Sequence, residues 1–317
     1  MKAFVNIMIS YNLTHFVLAG FTLNPALKIC VVTSLIPIYI LSLMGNLLTI
    51  ITISIDQNLQ APMYLFLRIL ATLDILFISS TVPKLVSILM SSDDAISING
   101  CLLQLYFYVS AGGTEFYILG LLSIDRYIAI CHPLRYTLVM SSQVCWRLII
   151  SFLTFGFLEF IPAIHSMSRL QWCSGNNVID HFFCDGSALL HLSCSDTYNI
   201  EIMFFYFACF AILSSLIPTI SSYCFIISTI LRIPSSSGRK KTFSTCSSHF
   251  IAVLFAYGSC IVIYVTPSGA APFSIGKSVA IFNSILCPFL HPFIYSLRNK
   301  AVMTSLRHMI GIEISIK

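Results

Sequence analysis

Charge is what this chain has least of. Only 9% of its 317 residues are Asp, Glu, Lys or Arg, where a soluble domain carries about 25%. A further 57% are hydrophobic, and the mean hydropathy is +0.90. So little charge excludes an ordinary soluble globule and points to a chain that crosses a bilayer several times. Chemistry-bearing patterns are scarce as well. There is no Cys-x-x-Cys or histidine-rich spacing, which argues against a zinc site. There is no HExxH and no paired-Asp set at helical spacing, which argues against an intramembrane enzyme. Ser248 and His249 are neighbours in sequence, so on a helix they point in different directions and do not make a dyad. Internal repeats and paired broken helices, the marks of a secondary transporter, are also missing.

What is present is a series of apolar stretches of roughly 20 residues or more, enough to span a bilayer as helices. They fall at 29–55, 63–90, 101–128, 145–165, 199–231, 243–266 and 273–297. The expected fold is therefore all-α, a seven-transmembrane helix bundle at 29–297. It is preceded by a tail at 1–28 and followed at 298–317 by a short amphipathic helix and tail. Arg68, Arg126, Arg135, Arg147, Arg232, Arg239, Lys240, Lys241, Arg298, Lys300, Arg307 and Lys317 fall on one side of this map, and Asp93, Asp94, Asp180, Asp185 and Asp196 on the other. By the positive-inside rule the basic side is cytoplasmic, which puts the N-terminus outside and the C-terminus inside. The net charge of +5 is a topology signal and not a nucleic-acid footprint.

The segment Met1 to Ala26 is interrupted by Asn6, Tyr11, Asn12 and His15 and has no clear small-residue cleavage site. It reads as an uncleaved tail, with the short run at 3–9 as a weak signal-peptide alternative. Its Asn12-Leu13-Thr14 sequon, on the outer side, is the expected glycosylation site. Eight of the 12 cysteines sit in or beside spans. Cys101, Cys173, Cys184 and Cys194 face the outer compartment, where four cysteines suit two disulfides with three pairings open.

Ionisable residues inside spans mark function more often than packing. Asp74 lies midway along the second span and Glu115 midway along the third. They could share a proton, hold a cation or bond to neighbouring hydroxyls and amides. Glu159 in the fourth span has no assigned role. Asp125-Arg126-Tyr127 closes the third span at the cytoplasmic boundary, as a polar switch would. Pro288 and Pro292 break the seventh span twice, freeing backbone carbonyls and making a hinge. Ser296 to Ile310 alternates basic and apolar residues, as an amphipathic helix on the inner leaflet does.

Six motifs lie in order along the chain. They are Gly45-Asn46; Pro62-Met63-Tyr64-Leu65-Phe66-Leu67; Asp125-Arg126-Tyr127-Ile128-Ala129-Ile130-Cys131 with Pro133-Leu134 and Tyr136; Ser222-Tyr223; the run from Lys241 through Phe243 to His249; and Pro292-Phe293-Ile294-Tyr295 through Lys300. With these the chain resembles an odorant (olfactory) receptor of the tetrapod type, within the rhodopsin-like G-protein-coupled receptors, along nearly its whole length.

The resemblance implies a plasma-membrane receptor for small-molecule odorants that activates a stimulatory olfactory-type G protein and raises cyclic AMP. It implies disulfides Cys101–Cys184 and Cys173–Cys194. It also implies a resting pair of Arg126 with Asp125, Arg126 turning toward Tyr223 and Tyr295 on activation, and a sodium ion held by Asp74 and Glu115. His291 departs from the pattern, standing before Pro292 where the family normally has Asn. Its ring is bulkier than an amide and can titrate, so it is expected to alter basal activity or sodium sensitivity.

Helical counting places Tyr108, Val109, Gly112 and Gly113 in the outer half of the third span, facing Phe207 and Ala211 of the fifth and Tyr257, Cys260 and Tyr264 of the sixth. That lining is mostly apolar with a few hydroxyls and suits a small neutral molecule. Tyr108 stands where amine receptors place an Asp. Lys277 lies near the outer end of its span, which disfavours retinal. The alternatives are a rhodopsin-like receptor for a non-odorant ligand and, further off, a transporter.

Overall fold

The computed structural model of the chain describes residues 13–21, 23–91, 94–173, 177–240, 242, 250–251, 253–258, 273–297 and 299–309. In chain order its helices are α1 Pro25–Ile55, α2 Pro62–Ser91, α3 Ile98–Cys131, α4 Tyr136–Val139, α5 Ser142–Leu158, α6 Ile161–Met167, α7 Gly186–Leu190, α8 Tyr198–Leu231, α9 Phe273–Ile281, α10 Cys287–Pro292 and α11 Lys300–Met309. Helical backbone also occupies 236–240, 250–251 and 253–258. Among the described residues, six helical spans are long and apolar enough to cross a membrane: α1, α2, α3, α5 with α6, α8, and Lys277–Tyr295. Of the expected sixth span at 243–266, only 250–251 and 253–258 are described. Cys260, Tyr264, Ser248, His249 and the sequon residue Asn12 lie outside the described residues.

Helix starts follow local chemistry. Pro25 opens α1 at a position where a missing N–H costs nothing, and the Asn24 side chain accepts from Leu27 N at 2.8 Å. The helix therefore begins at Pro25 and not at 29. Ser97 and Ser141 cap α3 and α5 in the same way. The fourth span, read as a single stretch at 145–165, turns at 159–160 between α5 and α6.

α1 and α8 bury small polar side chains and expose apolar ones, the reverse of a helix on the surface of a soluble protein. α1 turns Ser42, Asn46, Thr49 and Thr52 inward and leaves Ile40, Leu41, Leu47, Leu48 and Ile51 exposed. α8 buries Ser215, Thr219 and Ser222 and exposes Phe205, Phe210, Leu213 and Ile217. A lipid-facing exterior requires this arrangement, because small polar groups then bond between helices. Ser123 and Thr219 do so across α3 and α8 at 3.0 Å. Beside them, Gly120 lets the two backbones approach, since a Cβ there would lie 3.2 Å from Ser215 Cα.

Pro292 has no N–H to give to the carbonyl of residue 288. Asn46 Nδ2 and Ser42 Oγ each donate to Pro288 O at 3.1 Å, so α1 satisfies the acceptor that the proline leaves free. Gly45 packs against Pro292 itself, where an added Cβ would lie 3.0 Å from Pro292 Cβ. Wider π-helical turns at Phe282–Leu286 and Phe293–Leu297 flank α10. The motif pair Gly45-Asn46 and Pro292 is thus one contact seen from two helices.

The end of the bundle where α3 begins carries a small sheet in the order β2-β1-β3, made of β1 His15–Leu18, β2 Ala95–Ser97 and β3 Val178–Ile179. β1 is antiparallel to β2 and parallel to β3. Within the segment read as a tail, His15–Leu18 is therefore part of the folded cap, with Phe16 and Leu18 buried. At the other end, α11 starts where Asn299 Oδ1 accepts from Ala301 N at 3.1 Å. The helix buries Val302, and Ser305 donates to the Asp56 carboxylate just beyond α1.

Candidate functional site

Three levels of the bundle hold the residues that matter. At the C-terminal end of α3, Asp125 is fully buried and accepts from the Arg126 guanidinium beside it and from Tyr136 Oη at 2.8 Å. Tyr136 reaches back from the segment that follows α3, so the ion pair is clamped from outside its own helix. Burial and the Asp125 carboxylate push the Tyr136 phenol well above its usual range, which keeps it a donor. Tyr127 faces α8, with its ring 5.6 Å from that of Phe225. Tyr223 packs against Tyr127, Ile130 and Cys131 and lies 5.2 Å from the Phe250 ring. Tyr295 is buried in the central core, and its hydroxyl has no hydrogen-bond partner among the described residues.

Midway through the bundle, Asp74 and His291 are each 1% exposed and Glu115 is 9% exposed. His291 Nδ1 lies 2.9 Å from Asp74 Oδ1 and 3.6 Å from Glu115 Oε1. The three residues bring one ligand atom each within 4.8 Å of one another. Sodium is a hard cation that takes oxygen ligands, like calcium and magnesium. Here the third member of the cluster offers nitrogen, and that nitrogen already holds Asp74 Oδ1 by a hydrogen bond. These residues do not fit the sodium ion that the resemblance implies.

Among the described residues, five of the expected lining residues meet aromatic rings. Tyr108 lies between Phe77 and Phe183, at centroid distances of 4.7 and 4.6 Å. Gly112 faces the same Phe77, which an added Cβ would approach to 3.1 Å. Gly113 abuts Phe160, whose ring is 5.6 Å from Phe207. Tyr257 is buried 5.2 Å from Phe116. Val109 packs against the outer cluster beneath the sheet, and Ala211 is buried on α8.

Sequence reasoning missed the partners in these contacts. Phe182 and Phe183 come from the outer loop and are almost fully buried. Their signal was an aromatic pair directly before Cys184. Glu159, left without a role, accepts from Tyr117 Oη at 2.9 and 3.1 Å, one distance to each carboxylate oxygen.

Covalent and polar ties hold the outer loop over the bundle. Disulfides join Cys101 to Cys184 and Cys173 to Cys194. Gln104 accepts from Cys184 N at 2.9 Å and donates to Ser80 O at 2.8 Å, linking α3, the loop and α2. Lys277 bridges Asp180 at 2.6 Å and Gly20 O at 3.3 Å.

His181 stacks on Phe182 at 4.6 Å and meets Phe183 edge-on at 4.5 Å. Burial holds its imidazole below the ordinary value of 6.5, with Lys277 acting in the same direction and Asp185 and Asp180 opposing. A folded pKa below the unfolded one means the neutral ring stabilises the cap. That contribution is complete above the unfolded value and is lost as pH falls below about 6.5 toward the folded one. Protection factors of the amides at 178–184, taken relative to the intrinsic exchange rate at each pH, are expected to fall on acidification from neutral pH, and His181→Gln to remove the dependence. Protection factors that stay flat in the unsubstituted protein would contradict this.

Comparison with known proteins agrees with the order of the motifs and with a helical membrane bundle. A family model described as olfactory receptor matches residues 35–312. The chain is 46% identical to human olfactory receptor 6C3 over 298 residues, which is 94% of this chain and 95% of that one. It is 45% identical to human olfactory receptor 6C76 over 94% of this chain and 95% of the relative, and 44% identical to human olfactory receptor 6C1 over the same shares. The chain belongs to the olfactory receptor family, odorant-sensing G-protein-coupled receptors built as a multi-pass seven-helix membrane bundle, which are not enzymes.

Proposed function

We propose that this receptor takes a small neutral, largely apolar odorant in the outer half of the bundle and activates a stimulatory olfactory-type G protein, raising cyclic AMP. The observation that carries the ligand class is the ring-built interior around α3. Tyr108, Phe77, Phe183, Phe160, Phe207, Phe116 and Tyr257 offer apolar faces and a few hydroxyls. Glu159, the carboxylate closest to Gly113, already receives a hydroxyl from Tyr117. A neutral ligand gains from such surroundings, whereas a cation would lose its hydration without a free partner.

The N-terminus lies outside and the C-terminus inside, in keeping with the basic residues gathered at the α3 and α11 ends. Cyclic AMP is the test, measured in cells that co-express the stimulatory olfactory-type G protein, over matched sets of neutral odorants and their charged amine and acid counterparts. Neutral members should activate and their ionised counterparts should not. Activation confined to amines, or a response independent of the stimulatory G protein, would contradict the proposal.

A further inference from the structure

We infer that His291 stands in the ion's place, so that an imidazole–carboxylate bridge, and not a sodium ion, ties α2, α3 and α10 together at mid-bundle. The inference does not depend on which odorant binds. The separation of 2.9 Å between His291 Nδ1 and Asp74 Oδ1 is a hydrogen bond, and a hydrogen bond requires a proton between the two atoms. Whichever atom carries that proton, it occupies the line of approach that a cation would need to reach Oδ1. Glu115 Oε1 sits 3.6 Å from the same nitrogen, so one ring atom addresses both carboxylates.

Each of the three side chains comes from a different element, Asp74 from α2, Glu115 from α3 and His291 from α10. Among the described residues, His291 Nδ1 is the ring atom that approaches both carboxylates, at 2.9 Å from Asp74 and 3.6 Å from Glu115. Tyr295 is the further titratable neighbour, with its ring 5.6 Å from that of His291. A buried pair of carboxylates must be compensated in a medium of low dielectric. An amide at position 291 could offer an oxygen to an ion but no charge to a carboxylate, whereas imidazole can offer charge and has no oxygen. His291 therefore couples the end of α10 to α2 by a bond that cannot dissociate into solvent as an ion does.

The consequence is ion independence. Asp74 Oδ2 and His291 Nε2 have no hydrogen-bond partner among the described residues. Oδ2 leaves an oxygen for sodium and Nε2 a nitrogen for zinc, so both ions are competing occupants and both belong in the test. The full-length receptor, purified into lipid nanodiscs, would be melted in sodium chloride and in choline chloride at equal ionic strength, with a further zinc titration in choline chloride.

The unsubstituted protein should melt at the same temperature in both salts and show no saturable shift with zinc. His291→Asn should gain a saturable rise in melting temperature with sodium, and His291→Gln serves as the second variant should the first not fold. A saturable sodium or zinc stabilisation of the unsubstituted protein would overturn the inference. So would a folded His291→Asn with no response to sodium.

Discussion

Cys101→Ser is expected to abolish surface expression and, with it, any response to odorant. The Cys101–Cys184 bridge closes a sequence separation of 83 residues. In the chain-entropy account a loop of that size stabilises by about 4.5 kcal/mol, a large share of a typical domain's total stability. The bridge also carries more than entropy. Cys184 N is bonded to Gln104, and the two residues before Cys184 bury their rings against Ile78, Val82 and Leu85 of α2. Freed from α3, that aromatic pair leaves a void in the outer core.

Cys173→Ser should be milder, because its bridge to Cys194 closes a separation of only 21 residues and stabilises by about 3 kcal/mol on the same account. Surface immunolabelling against total expression measures both. A Cys101→Ser receptor that reaches the surface normally and responds to odorant would contradict this reading.

Asp125→Asn should raise basal cyclic AMP severalfold at equal surface expression. The amide keeps the carboxylate's shape and can still accept from Tyr136, but it loses the charge that holds Arg126. Asp125 is fully buried while the Arg126 side chain is 12% exposed at the membrane edge. The released guanidinium therefore turns toward water or a new partner instead of remaining buried and unpaired. Tyr295 offers such a partner, because its buried hydroxyl has none among the described residues. If the exchange weakens the resting arrangement by about 1.4 kcal/mol, the active population rises about tenfold. Tyr136→Phe, which removes only one donor to Asp125, should shift the basal level in the same direction by less. Unchanged basal signalling in Asp125→Asn would remove the resting ion pair from the account.

Much of this architecture was legible because membrane spans write themselves in composition. α2, α3 and α8 fall within a few residues of where hydropathy places them. Short-range chemistry explains the ends, as at Asn24-Pro25 and Asn299. The pairing of Pro292 with Gly45 and Asn46 was visible as two motifs, but not as one contact. Nothing local says that a carbonyl freed in α10 is met by α1.

What stayed hidden depends on partners distant in sequence. His15–Leu18 is only four residues long and is a strand because β2 and β3 flank it. Helical spacing could aim Gly112 and Gly113 toward the interior, yet could not say that Phe77 and Phe160 meet them there. Position 291 was recognisable as a departure. Its effect was not, because that rests on the 2.9 Å between His291 and Asp74, which stand 217 residues apart.

The central claim is that this is a working odorant receptor whose output passes through the α3 ion pair. Odorant-evoked cyclic AMP with surface level quantified, in the unsubstituted receptor and in Arg126→Ala side by side, tests it most directly. The account predicts a dose-dependent response to neutral odorants that disappears in Arg126→Ala at equal surface expression. A response of the same size in Arg126→Ala would contradict it.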